Sequence, residues 1–254
     1  MPFALRPPPL APRPSRRIEA VFLDMGDTLL TLAAPLGAIY RRAVAGSGRD
    51  PDDDHLARGL AEVIAEADER NRHHGFEASE EADRRRWRDF NSRLLERLEI
   101  AEHLRDATQD ELEAAFVDPA NFTLYPETHA ALRRLHRAGY RLAVVSNWSW
   151  QLPDLCARLG LADYFEHIFA SARVGYAKPH PGIFRHALAA LDLPPDAAVH
   201  VGDNPVADVG GALEAGIRPV LLDRAGRNAG VEAPHRVGDL LELVELLDSW
   251  RRTI

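Results

Sequence analysis

Residues 18–30 read IEAVFLDMGDTLL, and the reading of this stretch decides the fold. Ile18 to Leu23 is a nearly unbroken apolar run, the pattern of a strand covered on both faces in a parallel sheet. It stops on Asp24, and Gly26-Asp27 supplies a turn before the apolar Leu29-Leu30. A carboxylate at the point where a buried strand runs out lies on the edge where open parallel sheets bind their ligands.

Downstream the same unit recurs. Strand patterns span 141–145, ending at Ser146, and 198–201, ending at Gly202-Asp203. Shorter ones lie at 167–170 and 218–222. Helical patterns fill the gaps at 126–138, 152–159, 182–191 and 206–215, with a closing helix at 239–250. Gly139, Gly160 and Gly216 each stand just past a helix end, where a left-handed residue terminates the turn. Strands alternating with helices predict βαβ units with right-handed crossovers.

Residues 35–116 break this rhythm. They are charged and helical in period, with no strand-like run. One helix is expected over 53–72, with Leu56, Leu60, Val63, Ile64 and Ala67 on one stripe. A second is expected over 80–98, with Trp87, Phe90, Leu94 and Leu98 on its apolar side and Trp87 in the insert's core. Thr108-Gln-Asp-Glu111 reads as a capping box that opens a third. The expected fold class is α/β: a three-layer, Rossmann-like parallel-sheet core from residues 18–32 and 122–254, an all-helical insert from 33–121, and a disordered Pro/Arg-rich tail at 1–17.

Composition excludes several functions. Of 254 residues, 46% are hydrophobic and 28% charged, the balance of a water-exposed globular chain. No apolar run is long enough to span a membrane. Net charge is −8 although the tail is basic, so nucleic acid is not an expected partner. The single Cys156 forms no internal disulfide, and the reducing cytoplasm is the expected compartment. Of 31 basic residues only Lys178 is lysine, so any chemistry that needs an amine has one candidate.

The polar residues converge. Asp24, Ser146-Asn147 and Gly202-Asp203 end strands, Asp208 opens the next helix, and Lys178 sits in the loop Gly175–Gly182. Three carboxylates at one edge repel unless a cation lies among them. Oxygen ligands without a His or Cys cluster select a hard ion, Mg²⁺. The hydroxyl and the amine suit a phosphate beside it.

The segments Asp24-Met-Gly-Asp-Thr28, Ser146-Asn147, Lys178-Pro179 and Gly202-Asp203-Asn-Pro-Val-Ala-Asp208 resemble, in order, the four motifs of the haloacid dehalogenase superfamily. The resemblance covers residues 18–254, and the insert looks like that family's small helical cap. It implies Mg²⁺-dependent hydrolysis of a small phosphorylated substrate. Asp24 would be the nucleophile and a metal ligand, and the Gly26 carbonyl a second ligand. Ser146, Asn147 and Thr28 would bind phosphate, and Lys178 would neutralise charge. Asp203 would ligate the metal, with Asp208 acting through water or holding Lys178.

One position departs from the pattern. The family's phosphatases carry a second acid two residues after the nucleophile, and here that position is Gly26. Asp27 is one place further on and points elsewhere. A leaving group of low pKa, or His73, His74 or Glu77 of the cap, could make good the loss. The alternatives are carbon–halogen hydrolysis, which needs neither that acid nor the retained acidic pair, and non-catalytic binding of Mg²⁺, phosphate or a protein. Phosphonate cleavage through a cap lysine is excluded, because the cap contains none. Arg84-Arg85-Arg86 and Arg88 could recognise an anionic substrate from the cap, but Glu80 and Glu81, four residues before Arg84 and Arg85, favour reading them as surface pairs. Trp148 and Trp150 read equally as pocket lining or packing, and Cys156 as a buried, inert thiol.

Overall fold

A computed structural model of the chain describes residues 17–45, 51–72 and 74–253. All of the expected tail but Arg17, and also His73, lie outside the described residues.

The core is a parallel sheet of six strands: β1 (Ala20–Leu23), β4 (Arg141–Ser146), β5 (His167–Ala170), β6 (Ala198–Gly202), β7 (Arg218–Leu222) and β8 (Arg236–Val237), in the order β5-β4-β1-β6-β7-β8. Alternation along the strands separates two cores, as the pleat requires. Val21 and Leu23 face one layer of helices, and Ala20 and Phe22 the other. The first layer is α5 (Thr128–Arg137), α6 (Leu152–Arg158) and α10 (Leu240–Thr253). The second is α8 (Pro181–Ala190) and the short α9 (Gly211–Glu214), with α7 (Ser171–Val174) leading into it. This is the three-layer α/β arrangement expected from the sequence.

A two-stranded antiparallel ribbon was not legible in the sequence. β2 (Leu30–Leu32) pairs with β3 (Phe122–Leu124), with Thr31 opposite Thr123. Three-residue strands are too short to show a period. Between them lie α1 (Leu36–Val44), α2 (Asp53–Arg72), α3 (Glu80–Arg97) and α4 (Glu102–Val117). These helices have a separate apolar centre, built from Tyr40, Val44, Leu56, Val63, Leu94, Leu98 and Leu112.

Several expectations need correction. Thr108 opens no helix: it lies inside α4, and its hydroxyl donates back to the Leu104 carbonyl at 2.9 Å. That bond satisfies the side chain in the helix interior, so a Thr-x-x-Glu spacing alone does not mark a start. Ile64 is 40% exposed and leaves the stripe, because the buried face of α2 is only as wide as Leu56, Leu60 and Val63. The helix expected over 206–215 divides into a wide π-type turn, Pro205–Gly210, followed by α9. Among the described residues no helix is long and apolar enough to cross a membrane.

Candidate active site

Three adjacent strands present the site. Asp24 follows β1 and extends its pairing, its backbone N–H donating to the Val201 carbonyl at 2.9 Å. Ser146 closes β4, and Asp203 follows β6. Because β4, β1 and β6 are neighbours, their carboxyl ends lie side by side.

Lys178 enters from the loop between α7 and α8. Its ammonium donates to Asp24 Oδ1 at 2.6 Å and to Asp208 Oδ1 at 2.5 Å, all three side chains being buried. The Asn147 amide fixes this loop from both sides: its Oδ1 accepts from Lys178 N–H at 2.6 Å and its Nδ2 donates to the Lys178 carbonyl at 2.9 Å. Asn147, expected to bind phosphate, thus has its side chain engaged in aiming Lys178.

The path from β6 to Asp208 is also set by local chemistry. Asn204 Oδ1 accepts from Val206 N–H and Ala207 N–H at 2.9 Å each, capping the turn. Its own N–H donates to Asp208 Oδ2 at 3.0 Å. Asp208 then lies against Gly202, where a Cβ would stand 2.1 Å from the Asp208 carboxyl carbon. His200, fully buried in β6, completes the cluster, its Nε2 donating to Asp208 Oδ1 at 2.8 Å. Burial pushes the His200 pKa down, so the imidazole is neutral. His200 and Asn204 were missed by sequence reasoning; the visible signal was a lone polar residue inside the apolar run Ala198–Gly202.

The electrostatics leave a deficit of positive charge. Burial alone would discharge Lys178, but the Asp208 and Asp24 carboxylates outweigh it and raise its pKa, keeping the ammonium. The same ammonium and His200 hold Asp208 well below the usual carboxylate range against the effect of burial. Asp24 is raised by burial, with Lys178 countering. Asp203 is pushed up to about 7 by burial and then by Asp24, Asp208 and Asp27. Oxygens of Asp24, Asp203 and Asp208 lie within 4.8 Å of one another. When all three carboxylates are ionised, one ammonium leaves them two positive charges short, and an all-oxygen donor set fits a hard divalent cation.

The other expected residues fall in different places. Gly26 lies beside the cluster with ordinary backbone freedom, and a Cβ there would meet Trp148 at 3.6 Å. Asp27 takes a left-handed conformation, φ 49°. Its Oδ1 accepts from Thr31 Oγ1 at 2.9 Å and Tyr125 OH at 3.3 Å. Thr28 is fully buried, its carbonyl accepts from Arg224 at 2.7 Å, and its hydroxyl has no partner. His74 is exposed, and Glu77 is bound to Ser79 at 2.8 Å and Arg85 at 3.1 Å; neither lines the cavity above the site.

That cavity, about 800 Å³, lies between the helical block and the sheet edge. Gly26, Asp27, Asn147 and Lys178 form its floor. Trp148 lines it, tilted against Phe122 at 5.6 Å. Trp150 does not: its backbone N–H donates to Asp83 Oδ2 of α3 at 2.7 Å, tying the helical block to the core. A second tie runs from Phe76 N–H to the Gly175 carbonyl at 2.7 Å. Trp87, expected in the core of the insert, is half-buried in the cavity wall instead. Arg84–Glu80 at 3.6 Å and Arg85–Glu81 at 2.8 Å are the expected i,i+4 pairs. Cys156 is buried, its thiol pushed up to about 12 by burial.

Comparison with known proteins agrees with this geometry. Residues 18–216 match the family model described as haloacid dehalogenase-like hydrolase. A phosphoserine phosphatase of Thermus thermophilus is 40% identical over 161 residues, 61% of this chain and 64% of that one. A glyceraldehyde 3-phosphate phosphatase of Methanopyrus kandleri is 30% identical over 82% of this chain and 84% of its own length. Among solved structures, a 2-haloacid dehalogenase of Pseudomonas syringae superposes with a TM-score of 0.66 at 25% identity, over 92% of this chain and 99% of that one. With the motifs, the sheet order and the family match in agreement, the chain belongs to the haloacid dehalogenase-like hydrolases.

Proposed function

We propose that the protein is a phosphomonoesterase of the cytoplasm that acts through Asp24, with residues 33–121 serving as a cap over the core. The observation that carries this reading is the cluster of buried Asp24, Lys178 and Asp208 with half-buried Asp203, which is short of two positive charges when its three carboxylates are ionised. A carbon–halogen bond has no need of that arrangement, whereas a divalent cation offsets the two charges and leaves Lys178 to face an anionic phosphoryl group.

An Asp24 oxygen attacks phosphorus, the ester P–O bond breaks, and the alcohol leaves with a proton drawn from water in the cavity. The hydroxide left by that proton transfer then attacks phosphorus of the phosphorylated Asp24. Its P–O bond to the carboxylate breaks, inorganic phosphate departs and Asp24 is restored. This covalent route divides one difficult step into two. Lys178 holds Asp24 and faces the phosphoryl oxygens, and the Ser146 hydroxyl donates to them. Asp24, Asp203 and the Gly26 carbonyl would hold Mg²⁺, which would offset charge on the phosphoryl oxygens. The Asp208 oxygens already accept from Lys178, His200 and Asn204, so its role is to aim Lys178.

No acid stands at Gly26, so the rate should depend on the leaving group. A missing general acid costs about 10²–10⁴-fold with poor leaving groups. The test is a panel of alkyl, aryl and acyl phosphates with and without Mg²⁺, beside Asp24→Asn and a 2-haloacid control. Release of phosphate that needs both Mg²⁺ and Asp24 supports the reading. Turnover of the haloacid without metal replaces it with dehalogenation, and the absence of any turnover leaves a binding protein.

A further inference from the structure

The cavity above the site carries more information than the phosphate end uses. Building on the phosphatase reading, we propose that the substrate is a phosphomonoester whose body is a planar, apolar ring system rather than a short polar chain.

Size comes first. A volume of about 800 Å³ is well above what a phosphate with a three-carbon chain fills, and it lies toward the top of the range for ligand pockets. The walls come second. On the cap side Trp87 lies parallel to Phe90, 5.7 Å between centroids and 2° between planes, with Phe116 edge-on at 4.9 Å. On the core side Trp148 leans on Phe122. All five rings line the cavity, so aromatic side chains reach it from both walls. Rings of this kind favour offset-stacked or edge-on aromatic partners.

Charge comes third, and it argues against the alternative. Three cap arginines reach the cavity, and each is already paired: Arg70 with Asp89 at 3.3 Å, Arg84 with Glu113 at 3.2 Å, Arg86 with Asp83 at 3.4 Å. A second anionic group, such as the carboxylate of a phosphorylated amino acid, would meet arginines whose charge a neighbouring carboxylate already offsets. The amine of Lys178 lies at the phosphate end, and the cap side offers aromatic rings among charges that are paired with one another.

The test compares primary alkyl phosphates, so that the leaving oxygen is matched and only the body differs. A nucleoside 5′-monophosphate and flavin mononucleotide are set against phosphoserine and glycerol 3-phosphate. The expected result is a kcat/KM at least tenfold higher for the planar bodies, expressed mainly in KM. Trp87→Ala and Trp148→Ala should shrink that ratio toward one, and Trp87→Phe should retain most of it. Preference for the short polar esters, or a ratio unmoved by the alanine variants, would overturn the proposal. If no ester is turned over, the phosphatase reading fails, and calorimetric titration of the full chain still decides the ring preference. At least tenfold tighter binding of flavin mononucleotide than of phosphoserine upholds it, and equal affinity refutes it.

Discussion

At Asp208 three donors meet one carboxylate: Lys178, His200 and the Asn204 N–H. His200 touches neither the cavity nor Asp24, so it acts by fixing the orientation of Asp208 and through it Lys178. A hydrogen bond to a charged acceptor is worth about 1.5–3 kcal/mol. His200→Phe keeps a ring beside Phe184, where the centroids are 4.9 Å apart, and deletes the donor. We expect kcat to fall about 10–100-fold with little change in KM, as that energy implies, and His200→Gln to recover part of the loss. A shift confined to thermal stability would show that the contact is structural only. Gly26 invites the opposite change. Its φ is not left-handed and the space beyond its Cα is open to an added Cβ, which would contact Trp148 at 3.6 Å. Gly26→Asp is therefore expected to raise alkyl-phosphate hydrolysis about tenfold or more, while esters with good leaving groups gain little. Equal gains for both would mean that proton donation is not what limits the rate.

The decisive element is the turn from β6 into α9. Gly202 has to be glycine because Asp208 occupies the space of its side chain. Gly202→Ala would force Asp208 away from Lys178, leaving a buried ammonium with one carboxylate instead of two. Loss of such a partner costs about 3–5 kcal/mol. The expected outcome is a lower melting temperature together with loss of Mg²⁺-dependent turnover; wild-type values for both would show that the turn can yield. Similar economy holds at the loop before α8, where one amide, that of Asn147, sets both backbone groups of Lys178.

For the molecule as a whole, the relation between helical block and sheet sets the cavity. Two hydrogen bonds, Trp150 N–H to Asp83 and Phe76 N–H to the Gly175 carbonyl, tie the start of α3 and the segment before it to the core. Asp83 also pairs with Arg86, whose guanidinium lies over the Phe76 ring at 4.2 Å. Asp83→Ala removes the bond from Trp150 N–H and the pair with Arg86, and should loosen closure over the substrate. We expect KM to rise about tenfold for the loss of a charge-assisted bond, with faster proteolysis near residues 74–79. Unchanged KM and unchanged cleavage would show that the tie does not hold the cap.

The sequence by itself determined the α/β class, the helical insert and the identity of the polar groups at the strand ends. It could do so because burial on both faces writes continuous apolar runs, and because Asp24, Ser146 and Asp203 each interrupt one. The tertiary structure decided the rest. The β2–β3 ribbon was too short to leave a period. The wall position of Trp87, the engagement of Asn147 with Lys178 and the contact of His200 with Asp208 join residues far apart in the chain or turned toward each other by a wide helical turn. Spacing along one strand or helix reports which face a side chain takes, but not which distant group meets it. The lone lysine among 31 basic residues was visible from composition; that it is buried between two carboxylates was visible only in three dimensions.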